Sequence, residues 1–304
     1  MEIIDIEDFS LISEYQFKTV VALGNFDGVH KAHKTILESA AGTARVMTAV
    51  PAVFTFKKSG KPEIVPYEER KKLIGSCGIE LLFEADFEKV KNVDCRTFFE
   101  EYVLKRMNAV HLVCGYNYRF GHMAKGDAGI LDALCQEYGI GLTVISEIDS
   151  DGCAVSSSRI RDALISGDME KANRLLGRPY SIVSEIVHGK SEGHRHGIPT
   201  INLVFKDESL IPAFGVYVTK CYINGKEFRS VCNVGVAPTF GSDQSKPVCE
   251  VYLFDFDGDV YGDIAQVEFL HFLRKEKRFS DVSALYDRIK RDIDEAKSYF
   301  KVKD

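Results

Sequence analysis

The run Thr19-Val20-Val21-Ala22-Leu23 passes directly into Gly24-Asn25-Phe26-Asp27-Gly28-Val29-His30-Lys31-Ala32-His33, and then into the amphipathic Lys34-Thr35-Ile36-Leu37-Glu38. A β-branched run, a glycine-bounded turn and a 3.6-residue period predict strand, loop and helix in that order. This unit commits the first half of the chain to an α/β architecture. It also points backbone N–H groups and the positive end of a helix at whatever anion enters the loop. Two histidines three residues apart stand at the mouth of that helix, where imidazoles and bare glycines suit a phosphate chain. The spacing His-x-x-His also occurs in surface pairs and metal sites, but no glutamate lies between these two as a zinc-protease helix requires. The loop is not a Walker A motif, since Gly-x-x-x-x-Gly-Lys-Ser/Thr is absent.

A length of 304 residues predicts two domains. The formal charge of −6 argues against a general binder of nucleic acid or anionic membrane. The start, Met1-Glu2-Ile3-Ile4-Asp5-Ile6-Glu7-Asp8, lacks the basic segment and apolar core of a secretion signal, and no apolar run is long enough to cross a bilayer. The cysteines (Cys77, Cys95, Cys114, Cys135, Cys153, Cys221, Cys232, Cys249) include no Cys-x-x-Cys pair and read as reduced thiols, mostly small core residues. These features together predict a cytoplasmic protein.

The first half continues to alternate. Strand signals at 47–56, 79–84, 110–115 and 142–146 are interleaved with helical signals at 67–75, 94–107 and 127–138, with Asp94 as a cap. Such alternation predicts a parallel sheet with crossover helices and a ligand at the carboxyl ends of the strands. The pattern changes near Gly177-Arg178-Pro179-Tyr180. Short β-rich segments follow at 181–188, 200–205, 215–223, 227–233, 248–254 and 266–270, with Asn224-Gly225 as a hairpin turn. Their close spacing predicts a small antiparallel barrel. A terminal helix carries Val282, Leu285, Ile289, Ile293, Ala296 and Phe300 on one face, which is expected to pack on the barrel.

Further constellations carry chemistry. Val155-Ser156-Ser157-Ser158-Arg159-Ile160-Arg161 caps a helix with serines and sets two arginines one turn inside, a combination of hydroxyls, N–H groups and guanidinium suited to polyphosphate. Gly115-Tyr116-Asn117-Tyr118-Arg119-Phe120-Gly121 follows a predicted strand; taken alone, its arginine reads more readily as a solvated loop residue than as a ligand contact. In the second half stand Gly197-Ile198-Pro199-Thr200-Ile201-Asn202, Asn233-Val234-Gly235-Val236-Ala237-Pro238-Thr239-Phe240 and Cys249-Glu250-Val251-Tyr252-Leu253. If Val251 and Leu253 face the core, Glu250 and Tyr252 share the opposite face, where an exposed strand glutamate is the plain alternative.

Taken in order, these motifs resemble the prokaryotic bifunctional riboflavin kinase/FMN adenylyltransferase (FAD synthetase) family over essentially the full chain. The Phe-Asp-Gly-Val-His-x-x-His run, the serine–arginine element and the Arg-Phe-Gly loop are similar to its adenylyltransferase half. The Pro-Thr-x-Asn run, Glu250, Gly-Arg-Pro-Tyr at 177–180 and Phe272-Leu273-Arg274-Lys275-Glu276 are similar to its kinase half. The resemblance implies a Rossmann-like nucleotidylyltransferase domain over 1–176 and a mainly β riboflavin-kinase barrel with a terminal helix over 177–304. It implies that His30 and His33 act on ATP phosphates in catalysis. Gly24, Phe26, Asp27 and Gly28, with Ser157, Ser158 and Arg161, would bind ATP or the departing pyrophosphate. Asn117, Arg119, Phe120 and Arg274 would contact flavin. Thr200 and Asn202 would place Mg²⁺ and ATP phosphates, and Glu250 would be the general base. The small molecules implied are riboflavin, FMN, FAD, ATP, ADP and pyrophosphate, with no nucleic acid and no membrane.

Three departures stand out. Ala32 replaces the glycine of His-x-Gly-His, and Glu192 and His194 replace arginines around Gly193, with Lys190 and Arg195 nearby. Two alternatives therefore stay open: a chain with one live activity, the kinase first, or a flavin- or nucleotide-binding regulator without catalysis.

Overall fold

The computed structural model describes residues 1–7, 17–57, 61–150, 152–188, 198–238, 245–277, 279 and 281–303. The chain divides into two compact units, Met1–Ser157 and Ser158–Asp304.

In the first unit, β1 (Glu2–Asp5), β2 (Thr19–Leu23), β3 (Val50–Phe56), β4 (Leu81–Ala85), β5 (Ala109–Gly115) and β6 (Gly141–Ile145) form a six-stranded sheet in the order β1-β4-β3-β2-β5-β6. Every pairing is parallel. The strands are joined through α1 (Lys31–Met47), α2 (Tyr67–Ser76), α3 and α4 (Ala128–Tyr138). α3 opens as Cys95–Thr97, capped by Asp94, whose Oδ1 accepts from the N–H groups of Arg96 and Thr97, and continues in π-helical form as Phe98–Arg106. All five residues of β2 are buried, as a central strand covered on both faces requires. One core packs on each sheet face: Phe54, Phe83, Phe98, Phe99 and Leu112 on one, and Leu37, Ala40, Val53, Ile74 and Leu82 on the other. The chain leaves β2 toward β3 on one side while β5 lies on the other, so a crevice opens at the carboxyl end of β2. A short hairpin of β7 (Asp149–Ser150) and β8 (Cys153–Ala154) follows the sheet.

The second unit opens with α5 (Ser157–Ser166, all but its first residue) and α6 (Met169–Leu176). It then closes a six-stranded antiparallel barrel from β9 (Tyr180–Val187), β10 (Ile201–Val204), β11 (Gly215–Ile223), β12 (Lys226–Pro238), β13 (Ser245–Leu253) and β14 (Ile264–Lys275). Around the barrel the order is β10-β13-β12-β11-β14-β9. Asn224 and Gly225, with φ of 51° and 77°, make the predicted two-residue hairpin turn between β11 and β12. The terminal helix α7 (Val282–Lys303) buries Ile293, Ala296 and Phe300 against Val216, Val218, Val231 and Phe254. Val282 and Leu285, expected on the same buried face, are exposed, because packing on the barrel starts one turn later at Tyr286.

Candidate functional site

In the first unit the loop after β2 is shaped by backbone conformation. Phe26, Gly28 and Val29 have φ of 51°, 84° and 39°, and Val29 N–H bonds back to the Phe26 carbonyl at 3.1 Å. Glycine is needed at position 28, since a Cβ there would be strained by the positive φ and would stand 3.3 Å from Ile64. Asp27 is buried, and its carboxylate accepts from Ile64 N–H at 3.0 Å. Its carbonyl accepts from the Ser157 hydroxyl at 2.9 Å, which joins the two predicted phosphate elements.

His30 is the N-cap of α1; its Nδ1 accepts from His33 N–H at 3.3 Å, and the side chain is 3% exposed. That pattern assigns the imidazole proton to Nε2. The two imidazoles stack with centroids 3.6 Å apart, and the Phe26 ring meets His33 edge-on at 5.2 Å. Position 32 lies inside α1 and has no positive φ, so alanine costs nothing in backbone conformation there.

These residues open on a cavity of about 710 Å³, whose lining includes Gly24, Phe26, His30, His33 and Ser157. The same lining includes Asn117, Arg119 and Phe120, together with an aromatic set containing Phe54, Phe56, Phe98 and Tyr118. The Tyr118 and Phe120 rings stack at 5.8 Å, and burial pushes the Tyr118 phenol well above its ordinary pKa. Phe120 and Gly126 exchange backbone hydrogen bonds at 3.1 and 2.9 Å, closing the intervening loop. Gly121 has φ of 75°, and a Cβ there would collide with Cys95. Arg119 is exposed and lies 3.5 Å from Asp127, the N-cap of α4. Thus Gly24, Phe26, His30, His33, Asn117, Arg119, Phe120 and Ser157 meet at one cavity, while Asp27 and Gly28 shape the loop. Ser158 and Arg161 continue α5 beyond Ser157, within the second unit.

The sequence gives no hint of Arg70, which is 0% exposed in the first turn of α2. Its guanidinium donates to the carbonyls of Asn25 (3.1 Å), Phe56 (2.9 Å) and Lys57 (3.2 Å), and lies 3.7 Å from the Glu63 carboxylate.

In the barrel unit, Thr200 immediately precedes β10. Asn202 pairs with Glu250 on β13, and Glu250 pairs with Asn233 on β12, so the three form one row across three adjacent strands. Cys249, Val251 and Leu253 are buried while Glu250 and Tyr252 are half-buried, the predicted alternation. Asn202 is itself buried. Asn233 heads a recognised sequence motif, yet its place beside Glu250 comes from register and not from spacing. A Cβ on Gly235 would run into the Glu276 carboxylate and stand 3.3 Å from Asn233 Nδ2, so the bare glycine admits Glu276 to this end of the row.

Arg274, expected to touch flavin, has its Nε and Nη2 on the Asp292 carboxylate at 2.7–3.0 Å and its Nη1 on the Lys275 carbonyl at 3.1 Å. In the structure that side chain pins α7 to β14. Glu192, His194, Lys190, Arg195 and Thr239 lie outside the described residues.

Thr200, Asn202 and Glu250 offer hydroxyl, amide and carboxylate oxygens, the donor set of a hard divalent cation that also takes phosphate oxygens. Among the described residues no cluster of three His, Cys, Asp or Glu could cage a metal alone. The donors fit a cation brought in with nucleotide.

A glycine-marked loop at the switch point of a parallel sheet, with a closed barrel that sets one carboxylate between two amides, is the arrangement of a two-unit phosphorus-group transferase. A family model described as FAD synthetase matches residues 12–159, and one described as riboflavin kinase matches residues 176–300. The bifunctional riboflavin kinase/FMN adenylyltransferase of Bacillus subtilis is 35% identical over 95% of both chains, and that of Listeria monocytogenes is 30% identical over 92% of both. A crystal structure described as a macrolide-efflux protein from Streptococcus pneumoniae superposes with a TM-score of 0.86 at 31% identity, covering 97% of this chain and 98% of that one. Among the described residues no helix is long and apolar enough to cross a membrane. The chain belongs to the bifunctional riboflavin kinase/FMN adenylyltransferase family.

Proposed function

We propose that the chain uses ATP twice: the barrel phosphorylates riboflavin to FMN, and the α/β unit adenylylates FMN to FAD. In the first step the ribityl 5′-hydroxyl attacks the γ-phosphorus, its proton passes to Glu250, and ADP leaves. In the second an FMN phosphate oxygen attacks the α-phosphorus of ATP and pyrophosphate leaves.

The observation that carries the kinase assignment is the row Asn202–Glu250–Asn233. It holds one carboxylate on a rigid barrel between two amides, the placement a general base requires. Thr200 and Asn202 would hold Mg²⁺, which when bound neutralises charge developing on the phosphate oxygens. Glu276, beside Asn233, joins this site.

In the α/β unit the chemistry is positioning and charge neutralisation. The Nε2–H of His30, the stacked His33 and the loop amides face the phosphate chain, and the Ser157 hydroxyl, bonded to the Asp27 carbonyl, braces that loop. The aromatic wall with Asn117, Arg119 and Phe120 takes the flavin, and a cavity of about 710 Å³ suits a ligand of that size. The cysteines, all present as free thiols, favour the cytoplasm.

Incubation with riboflavin and Mg-ATP, followed by chromatographic separation of flavins, tests this reading. Both FMN and FAD are expected; FMN alone removes the adenylylation assignment, unchanged riboflavin removes the phosphorylation assignment, and a parallel incubation with FMN and Mg-ATP that yields no FAD removes the adenylylation assignment independently.

A further inference from the structure

Phe26 is an aromatic residue held at φ of 51°, a left-handed conformation that L-residues with large side chains seldom adopt. A backbone held in this way needs an external constraint. Two donors supply it at the preceding carbonyl: Arg70 Nη1 at 3.1 Å and Thr55 Oγ1 at 3.0 Å both bond to the Asn25 oxygen and fill its two lone pairs. The other guanidinium nitrogen, Nη2, takes the Phe56 and Lys57 carbonyls at the end of β3. One planar group thus ties the exits of two neighbouring strands together, and its charge is offset by buried Glu63 at 3.7 Å. A distant field acting on the ligand is therefore not its contribution.

The direction of the peptide plane follows. No peptide bond of the described residues is cis, so the N–H of Phe26 points opposite the Asn25 carbonyl. The carbonyl is turned to Arg70 and Thr55, and Asn25 and Phe26 both line the cavity. Among the described residues no group accepts a hydrogen bond from the Phe26 N–H. We infer that Arg70 is a positioning residue for adenylyl transfer: it fixes the Asn25–Phe26 peptide so that the Phe26 N–H is presented to the phosphate chain of ATP. The inference rests on the adenylylation assignment above. It makes Arg70 a determinant of nucleotide binding although the side chain is wholly buried.

Two variants of the full chain separate this role from general stability. Arg70→Met paired with Glu63→Gln removes the guanidinium together with the buried charge that faces it. Arg70→Lys keeps the charge but cannot reach three carbonyls with one planar group. In FMN adenylylation at saturating FMN, the paired variant should raise the KM for ATP by about tenfold or more, with kcat down less than about threefold and the FMN KM within about twofold. Arg70→Lys should raise the ATP KM by an intermediate factor of about three. Riboflavin phosphorylation by the same preparations should be unchanged.

Amide hydrogen exchange of the peptide carrying residues 25–29 gives a readout that needs no turnover. Mg-ATP should slow it in the parent chain and have a much smaller effect in both variants at the same ATP concentration. A parent chain that shows this protection but makes no FAD would refute the adenylylation assignment, and the variants' exchange would still decide the role of Arg70. An ATP KM within twofold of the parent in Arg70→Lys, equal rises in the KM values of ATP and FMN, or undiminished exchange protection would overturn the inference. If the paired variant loses exchange protection throughout β2 and β3, Arg70→Lys alone carries the decision.

Discussion

Replacing Asp292 with asparagine removes one charge from α7 and leaves two guanidinium groups facing each other. Asp292 is 2% exposed and accepts from Arg274 Nε and Nη2 at 2.7–3.0 Å and from Arg288 at 2.8 Å. Breaking a buried pair by removing one partner costs roughly 3–5 kcal/mol. The two arginine side chains keep 19% and 27% of their exposure, so solvent screening places this site at the lower end, about 3 kcal/mol. For a domain of this size each kcal/mol shifts Tm by about 2–4 °C, so the barrel transition should fall by about 6–12 °C. Amide exchange of α7 peptides in rising urea reports the barrel unit specifically. The paired replacement Arg274→Met with Asp292→Leu should recover most of the loss, because apolar groups of similar volume often replace a buried ion pair without cost. Arg288 would then retain its contact with Glu295 at 3.3 Å. A loss below about 1 kcal/mol for Asp292→Asn, or a paired variant as unstable as the single one, would refute this account of how α7 is held.

Glu250→Gln should lower riboflavin phosphorylation by about a hundredfold, the usual scale for losing a general base, with FMN adenylylation unaffected; an unchanged kinase rate would mark Glu250 as an ordinary strand residue. Ala32→Gly, within the first turn of α1, should destabilise that helix start by at most about 1 kcal/mol and tighten ATP binding less than tenfold. A parent chain that makes no FAD until Ala32→Gly restores it would contradict that expectation. Burial holds the His111 imidazole below its ordinary pKa, with Nε2 2.8 Å from the Thr143 hydroxyl. The unfolded chain therefore takes up this proton first as pH falls. The contribution is complete above the ordinary value and is lost as pH drops through it toward the lower folded value, so His111→Gln should flatten the acid limb of a stability–pH curve below about pH 6.5. A fragment starting at Ser158 should be a more stable kinase than one starting at Gly177, which lacks α5 and α6; equal melting temperatures would show that the two helices add nothing.

The strand–helix alternation, the barrel and the cavity residues of the first unit were legible because each follows from a repeating pattern of apolar side chains or from a glycine-marked turn. Extents were less so. β14 runs on to Lys275 because closure of the barrel pairs it with β11 as far as Gly215, a long-range demand that local sequence does not express. β1 carries little local signal because three of its four residues are exposed and its pairing partner, β4, lies some eighty residues away. α6 is short and follows Gly167 and Asp168 directly, so its pattern merges with a turn signal. It nevertheless buries Met169, Ala172, Leu175 and Leu176. Arg70 and Asp292 were illegible for a different reason. Charged residues read as solvent-facing by default, and only the assembled fold shows the carbonyls around one and the guanidiniums around the other.

The boundary between the functional halves turns on α5 and α6. The riboflavin kinase match begins at residue 176, whereas the compact barrel unit begins at Ser158. The hydrogen bonds of the intervening helices explain the difference. Asn173 donates to the Phe269 carbonyl and accepts from Tyr180 N–H, both at 2.7 Å, and the Leu164 carbonyl accepts from Ala213 N–H at 2.9 Å. Glu170 pairs with His271 on β14, whose ring stacks on Tyr299 of α7. The four buried side chains of α6 add at most about 5–10 kcal/mol of apolar burial. The chemistry of phosphorylation starts at the barrel, but the physical unit that keeps Asn202, Glu250 and Asn233 in register includes two helices from before it.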